Sequence, residues 1–232
     1  MRVGANTSPK PATLVAPDEP LHVEEPPDPF VSRAGRKLDA AIDVFDVKVR
    51  GRRAIDVGAS TGGFTDCLLQ RGADSVLALD VGYGQMHWRG RSDERVQVVE
   101  RTNIRLADPR ELGAPFDLIV ADLSFISLRT VQSHLAALGG VGATWVLLIK
   151  PQFEVGRDLV GRGGIVRDAA IRIEVLATVL ASFADIGLGC IGLMESPITG
   201  MTGNVEYLAC FRRGRGTVTS RTIESALDGM SA

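Results

Sequence analysis

Two lysines and two acids stand out: Asp122, Lys150 and Glu206 at the ends of predicted strands, and Lys37 on the helix predicted ahead of the first strand. Lysine is scarce here: only Lys10, Lys37, Lys48 and Lys150 among 26 basic residues, the other 22 being arginine. A lysine amine can give up its proton and serve as a base, which a guanidinium does not do. Two ammonium groups held close disfavour each other's charge, so one can stand neutral. Such a set suits removal of a proton from a sugar hydroxyl. Lys150 is the candidate base, Lys37 and Asp122 tune and orient it, and Glu206 orients Lys37 or the sugar.

A second constellation supplies a partner for that hydroxyl. Asp56-Val57-Gly58-Ala59-Ser60-Thr61-Gly62-Gly63-Phe64-Thr65 follows an apolar run and opens a helical pattern, and a second apolar run ends at Asp80. A strand, a glycine turn, a helix and a strand ending in an acid form a pocket for a nucleotide cofactor. The spacing Gly58-x-x-x-Gly62, preceded by Asp56, departs from the G-x-G-x-x-G of nicotinamide sites and fits the D-x-G-x-x-x-G loop of S-adenosylmethionine-dependent methyltransferases. In that reading Asp56 holds the loop and the methionine end, Gly58 and Gly62 let the cofactor approach backbone, and Asp80 takes the ribose hydroxyls. The segment Asp122-Leu123-Ser124-Phe125-Ile126 lacks the proline pair expected for methylation of exocyclic amines. No cysteine follows the fourth or fifth strand, as attack through a pyrimidine carbon would require.

These residues need a scaffold, and the pattern provides one. Apolar runs predict strands at 53–57, 75–81, 96–100, 118–122, 145–150, 190–195 and 205–211. Helices are predicted at 62–71, 127–138 and 168–186, with short helical turns near 86–89 and 109–112. Ser32 is placed to cap a leading helix over 33–45, whose stripe is Leu38, Ala41, Ile42 and Phe45. Such alternation predicts an α/β fold with a mainly parallel sheet covered on both faces. Residues 151–167 read as a Gly-rich functional loop following a strand. Residues 1–23 read as a short β-type remnant, 24–30 as a Pro-rich linker, 31–213 as the main domain and 214–232 as a polar tail.

Bulk properties narrow the classes. At 232 residues, 45% apolar and a formal charge of −2, the chain can hold one sizeable core and is not a polycation. Nucleic-acid contacts must come from local arginines: Arg33, Arg36, Arg50, Arg52, Arg53, Arg157, Arg162 and Arg167 are the candidates. Within that set the Arg50–Arg53 cluster, next to the leading helix, and the Gly-rich loop bearing Arg157 and Arg162 are favoured. Cys67, Cys190 and Cys210 have no paired spacing, and His22, His87 and His134 are scattered, so neither a zinc site nor a Ser-His-Asp triad is expected. No apolar run reaches membrane-spanning length.

The ordered motifs V-S-R-A-G-R-K-L, D-V-G-A-S-T-G-G-F-T, D-V-G-Y-G-Q, E-R-T-N, A-D-L-S-F-I-S-L, I-K-P-Q-F-E-V-G and G-N-V-E-Y, over about residues 31–212, resemble the TlyA family. Its members have been called hemolysins and act as ribosomal RNA 2′-O-methyltransferases. The wider relatives are FtsJ-type enzymes, whose Lys-Asp-Lys-Glu tetrad falls on Lys37, Asp122, Lys150 and Glu206. The resemblance implies a Rossmann-like methyltransferase fold of seven strands, the last antiparallel. It implies S-adenosylmethionine as donor and cytidine 2′-hydroxyls of 16S and 23S ribosomal RNA as acceptors; the cytoplasmic location is read from the unpaired cysteines, as buried reduced thiols. It also implies a link to susceptibility to ribosome-targeting cyclic peptide antibiotics. It extends the donor contacts to Ser60, Gly63, Phe64, Asn103 and Asp122. Relatives carry an S4-like RNA-binding domain in front, of which residues 1–23 resemble only the tail. A small-molecule O-methyltransferase and a membrane-active protein are the competing readings.

Overall fold

The computed structural model describes residues 2–3, 16, 21–22, 28–156, 159–161, 163–219 and 223. Two short strands, β1 (Arg2–Val3) and β2 (Leu21–His22), pair antiparallel. After them come α1 (Ala34–Val44), β3 (Arg53–Val57), α2 (Gly63–Gln70), β4 (Ser75–Leu79), α3 (Trp88–Ser92), β5 (Val96–Val99) and β6 (Phe116–Ala121). The chain continues through α4 (Leu128–Leu138), β7 (Gly139–Ile149), α5 (Pro151–Glu154), α6 (Ala169–Asp185), β8 (Leu188–Glu195) and β9 (Tyr207–Arg213).

Seven strands form one sheet in the order β5-β4-β3-β6-β7-β9-β8. All neighbours from β5 to β7 pair parallel, and β9 runs antiparallel to both β7 and β8. The period-two alternation of strand side chains divides the core between two faces. Ile55, Ile119, Trp145, Leu147 and Phe211 pack under α4 and α6 on one face. Ala54, Leu118, Val120, Val146 and Leu208 pack under α1 and α2 on the other. Of the expected stripe, Leu38, Ala41 and Ile42 are buried in α1, while Phe45 is its C-cap and half-buried.

Several boundaries differ from expectation. Ser32 does not cap α1; Arg33 holds that position without a side-chain cap, and the Ser32 carbonyl accepts Gly35 N instead. Ser127 and Asp168, where the next two helices were expected to begin, cap them instead through Arg129 N and Ala170 N. Strand β7 begins at Gly139, before the expected 145, because Gly139 pairs with Phe116 across a register shift. Helix α3 starts at Trp88, where His87 Nδ1 accepts Arg89 N at 3.2 Å. Turns without a helix occupy 109–112, and α5 stands at the head of the stretch read as loop.

The ends of the main domain are also more firmly attached than composition suggests. Phe30 is buried, Val31 N donates to Asp66 Oδ2 at 2.9 Å, and Gln70 Nε2 donates to the Pro29 carbonyl at 2.9 Å. The linker's last residues are thus part of the folded unit. Beyond β9, Thr217 N and Val218 N both donate to the Cys190 carbonyl, and Ile223 is buried in the α4/α6-side core. The tail is polar in composition yet contributes to that core.

Candidate active site

Strand direction decides what meets at the crevice. The C-terminal ends of β3, β4, β6 and β7 lie at one edge of the sheet, where ligands bind open α/β folds. Because β9 is antiparallel to β7, Glu206, just before β9, reaches the same edge. Two adjoining clefts open there and share Gly58, Ser60, Asp122, Ser124 and Phe125 in their walls.

The smaller cleft, about 320 Å³, lies over the ends of β3 and β4. Asp80 sits at its floor and is already ordered: Oδ2 accepts Ser60 N at 2.7 Å and Oδ1 accepts Gly82 N at 2.6 Å. Each carboxylate oxygen has a further lone pair for an incoming hydroxyl. The turn above requires glycine at 58, with φ +86° and no room for a side chain: a Cβ would fall 2.6 Å from the Asp122 carbonyl. Ser60 holds φ +48° in the same turn, a conformation that non-glycine residues retain when the surroundings enforce it. Leu79, Ile104 and Leu123 add apolar wall. An acceptor carboxylate, bare backbone and an apolar lining fit a nucleoside.

The larger cleft, about 790 Å³, brings together Lys37, Asp122, Lys150 and Glu206. Lys37 rises from α1 and donates to Glu206 Oε2, with 9% and 3% of the two side chains exposed. Lys150 is fixed by its neighbour. Proline at 151 disfavours helical backbone at the residue before it and starts α5 as its first residue. Lys150 accordingly stays extended, φ −111° and ψ 101°, at the tip of β7. Its Nζ lies 2.5 Å from Asp122 Oδ1 as an ion pair, while its directed hydrogen bond goes to Ser124 Oγ at 2.9 Å. Phe125, 92% exposed and at φ +65°, faces Phe153 at 5.3 Å between ring centroids. Gln152 and the Ile198–Thr202 loop complete the rim, with Met201 98% exposed.

The remaining expected contacts divide. Gly63 and Phe64 line the larger cleft. Asp56 and Gly62 are buried behind the walls, and Asn103 is exposed beside them. Asp56 is wholly buried on the α2 side of β3 and accepts Thr65 Oγ1 at 2.7 Å; its other oxygen has no partner. Desolvation pushes its carboxyl up to about 7, against the opposing Thr65 bond and with help from Asp122 and Asp80. Gly62, at φ +91°, begins α2 against Met86. Asn103 Oδ1 accepts Arg105 N at 3.0 Å, and its neighbours Thr102 and Ile104 line the smaller cleft instead.

Of the arginines, Arg33 lines the larger cleft and donates to the Thr199 carbonyl at 3.2 Å, and Arg36 pairs with Asp28 at 2.9 Å. Arg52 and Arg53 do not join the cleft. They precede or open β3, so they lie at the sheet edge opposite its crevice end. Arg53 is also committed locally, to the Gly113 carbonyl at 2.7 Å and over the Phe116 ring at 4.5 Å. Arg157 and Arg162 lie outside the described residues. The residues not anticipated are Ser124, Gln85, Gln152, Phe153 and the 198–202 loop. Ser124 stood inside a quoted motif, but nothing in the sequence pairs it with Lys150.

Among the described residues no cluster of three or more His, Cys, Asp or Glu could hold a metal, and no helix is long and apolar enough to cross a membrane.

A model of FtsJ-like methyltransferases matches residues 30–213. The chain is 44% identical over 226 residues to a Mycobacterium tuberculosis protein, the 16S/23S rRNA (cytidine-2′-O)-methyltransferase TlyA, covering 97% of this chain and 83% of that one. It is 34% identical over 179 residues to the Campylobacter jejuni 23S rRNA (cytidine-2′-O)-methyltransferase TlyA, covering 77% and 69%. A crystal structure from Lactococcus lactis, described as a hemolysin, matches with a TM-score of 0.83 at 40% identity, over 88% of this chain and 99% of that one.

Proposed function

This chain belongs to the FtsJ-like methyltransferase family and to its TlyA branch, and from that premise we propose that it methylates the 2′-hydroxyl of cytidine in 16S and 23S ribosomal RNA, with S-adenosylmethionine as donor. The observation that carries this reading is the meeting of two lysine–carboxylate pairs in one cleft, next to a second cleft floored by Asp80.

Asp80 would hold the ribose hydroxyls of the donor, and Gly58, Ser60, Leu123 and Ile104 would surround it. When bound, the donor supplies an electrophilic methyl group. The chain's own chemistry is at the acceptor. Lys150, in its amine form, takes the proton of the 2′-hydroxyl onto Nζ. The ammonium so formed lies beside the Asp122 carboxylate, which stabilises the charge as it develops. Ser124 fixes the direction of Nζ, and the Lys37–Glu206 pair offers both a donor and an acceptor to the sugar. The 2′-hydroxyl exists in RNA alone, so this arrangement selects RNA over DNA. The exposed rim implies that the target nucleotide leaves its helix to enter. Arg33 and Arg36 are the basic residues best placed to meet phosphate. We place the enzyme with ribosomal subunits in the cytoplasm.

The test is transfer of a tritiated methyl group to purified 30S and 50S subunits that lack the modification. Label is expected in nuclease-resistant dinucleotides that begin with cytidine. Label confined to small molecules, or none in RNA, rejects the reading. Label in one subunit alone narrows the substrate.

A further inference from the structure

The loop after β6 and the turn after β7 both feed the larger cleft. One contributes Asp122, Ser124 and Phe125, the other Lys150, Gln152 and Phe153. At the strand ends they are held by the β6–β7 pairing. Beyond the cleft residues they are joined again, by Glu154. This side chain does not line the larger cleft and is 2% exposed. Its Oε2 accepts Ser127 Oγ at 2.5 Å, its Oε1 accepts Leu128 N at 2.7 Å, and Arg129 Nε lies 3.4 Å away. The Arg129 guanidinium also donates to the Glu154 carbonyl at 2.9 Å.

Such a contact is specific in its requirements. A carboxylate removed from water persists only when donors replace its hydration. Burial pushes the Glu154 carboxyl above the usual carboxylate range, against the opposing bonds from Ser127, Leu128 and Arg129. An aliphatic residue would fill the space without that desolvation penalty. It would leave the Leu128 N–H, at the open N-terminal end of α4, without its acceptor. What the carboxylate adds is a fixed distance between Ser127–Leu128 and the end of α5. Between those points lie the 2.9 Å Lys150–Ser124 hydrogen bond and the Phe125–Phe153 contact.

We propose that Glu154 is a positioning residue for the methyl transfer: it bolts the loop after β6 to the turn after β7 and thereby fixes the Lys150 amine against Ser124 and Asp122. The inference rests on the reading of Lys150 as the base. A displacement on the order of 1 Å at a reacting group can cost about 100-fold in rate. Removal of the bolt therefore acts mainly on turnover: Asp80 and the Gly58–Ser60 turn belong to other elements, and the loosened loop gives the donor cleft only its outer wall, through Leu123 and Ser124.

The test compares Glu154→Ala, Glu154→Gln and Ser127→Ala in the full chain, with tritium transfer to 50S and 30S subunits and calorimetric titration of S-adenosylhomocysteine. Glu154→Ala is expected to lower kcat by about 10- to 100-fold, with KM for the subunits and Kd for S-adenosylhomocysteine within about threefold. Glu154→Gln retains an oxygen acceptor for Leu128 N and is expected to recover to within about threefold of the unaltered enzyme. Hydrogen exchange should quicken over 122–128 and 150–156 and stay unchanged over α1 and α2. If Glu154→Ala does not fold, Ser127→Ala carries the test, with an expected loss of about three- to tenfold in kcat at constant donor Kd. The proposal is overturned if kcat is unaffected, if donor Kd worsens in step with kcat, or if Gln is as inactive as Ala. An unaltered enzyme that transfers no label to RNA overturns the functional reading and this inference with it. An active one alongside an equally active Glu154→Ala overturns this inference alone.

Discussion

The smaller cleft is ordered by neighbours in sequence, the larger by side chains brought from across the chain. Asp80 is held by amides 20 and 2 residues away, and glycine at 58 makes the turn above it. Lys37 and Glu206 are 169 residues apart, and Lys150 and Ser124 are 26 apart. The ribose-binding floor of the donor half is therefore a property of one β-α-β unit, β3, α2 and β4, while Ile104 and the loop after β6 add its outer wall. The acceptor half exists only once β6, β7, β9 and α1 are assembled. Recognition of a common donor can be local, but the acceptor chemistry depends on the whole fold.

If that division is right, changes on the acceptor side should alter turnover with donor binding intact. Lys150→Ala is the sharpest case. Loss of a general base costs about 100- to 10,000-fold in rate. Single-turnover methylation should fall by that amount while the Kd for S-adenosylhomocysteine stays within about twofold. Full turnover in this variant would remove Lys150 as the base; a parallel loss of donor affinity would erase the distinction between the halves.

The long-range pair should also support stability, as the local one need not. Lys37 and Glu206 are both almost wholly buried, so Lys37→Met leaves an uncompensated carboxylate in the interior. Breaking a buried pair in this way costs about 3–5 kcal/mol, or on the order of 10 °C in Tm for a chain of this size. Calorimetric melting should show that loss, and Lys37→Met combined with Glu206→Leu should recover part of it. A single variant that melts with the unaltered protein would show that the pair is solvated.

The converse experiment addresses the donor side. Two charge-assisted hydrogen bonds that Asp80 accepts from ribose hydroxyls support an expected loss of about 100-fold in S-adenosylhomocysteine affinity for Asp80→Ala. At saturating donor, the transfer rate should stay within about tenfold. Some loss is expected, because Ser60 N and Gly82 N lose their acceptor and the shared turn loosens.

The same division explains what the sequence discloses. The Gly58 turn, Asp80 and the strand that carries each are legible because their geometry depends on residues a few positions away. Lys37 and Glu206 could be paired only through the resemblance, which supplies both the tetrad and the antiparallel last strand. Ser124 and Gln152 were not legible as cleft residues, because the fold alone determines which loop residues turn inward. Arg52 and Arg53 stand away from the cleft for a related reason. Proximity in sequence to a crevice loop says nothing about the sheet edge unless strand direction is followed: the chain enters β3 at Arg53 and reaches the crevice only past Val57. Asn103 was assigned to the donor, yet its side chain caps its own turn and the residues on either side face the cleft.

Asp56 lies beneath both halves and offers the finest probe of their difference. Its carboxyl, ordinarily near 3.8, is pushed to about 7, chiefly by burial, with the charge of Asp122 contributing ahead of that of Asp80. An acid with a raised folded pKa binds more protons when folded than when unfolded, so stability falls as pH rises from the unfolded value through the folded one. Between about pH 5.5 and 7.5 the loss attributable to Asp56 should be about 1–2 kcal/mol, and Asp56→Asn should abolish that part of the slope. Urea melts of the two proteins across this window give the difference directly. Carbon-13 titration of the Asp56 carboxyl then compares the halves: Asp122→Asn should lower its midpoint further than Asp80→Asn. Equal shifts would mean that Asp56 senses the two clefts alike, and a flat difference between the melts would show that its carboxyl is already ionised when folded.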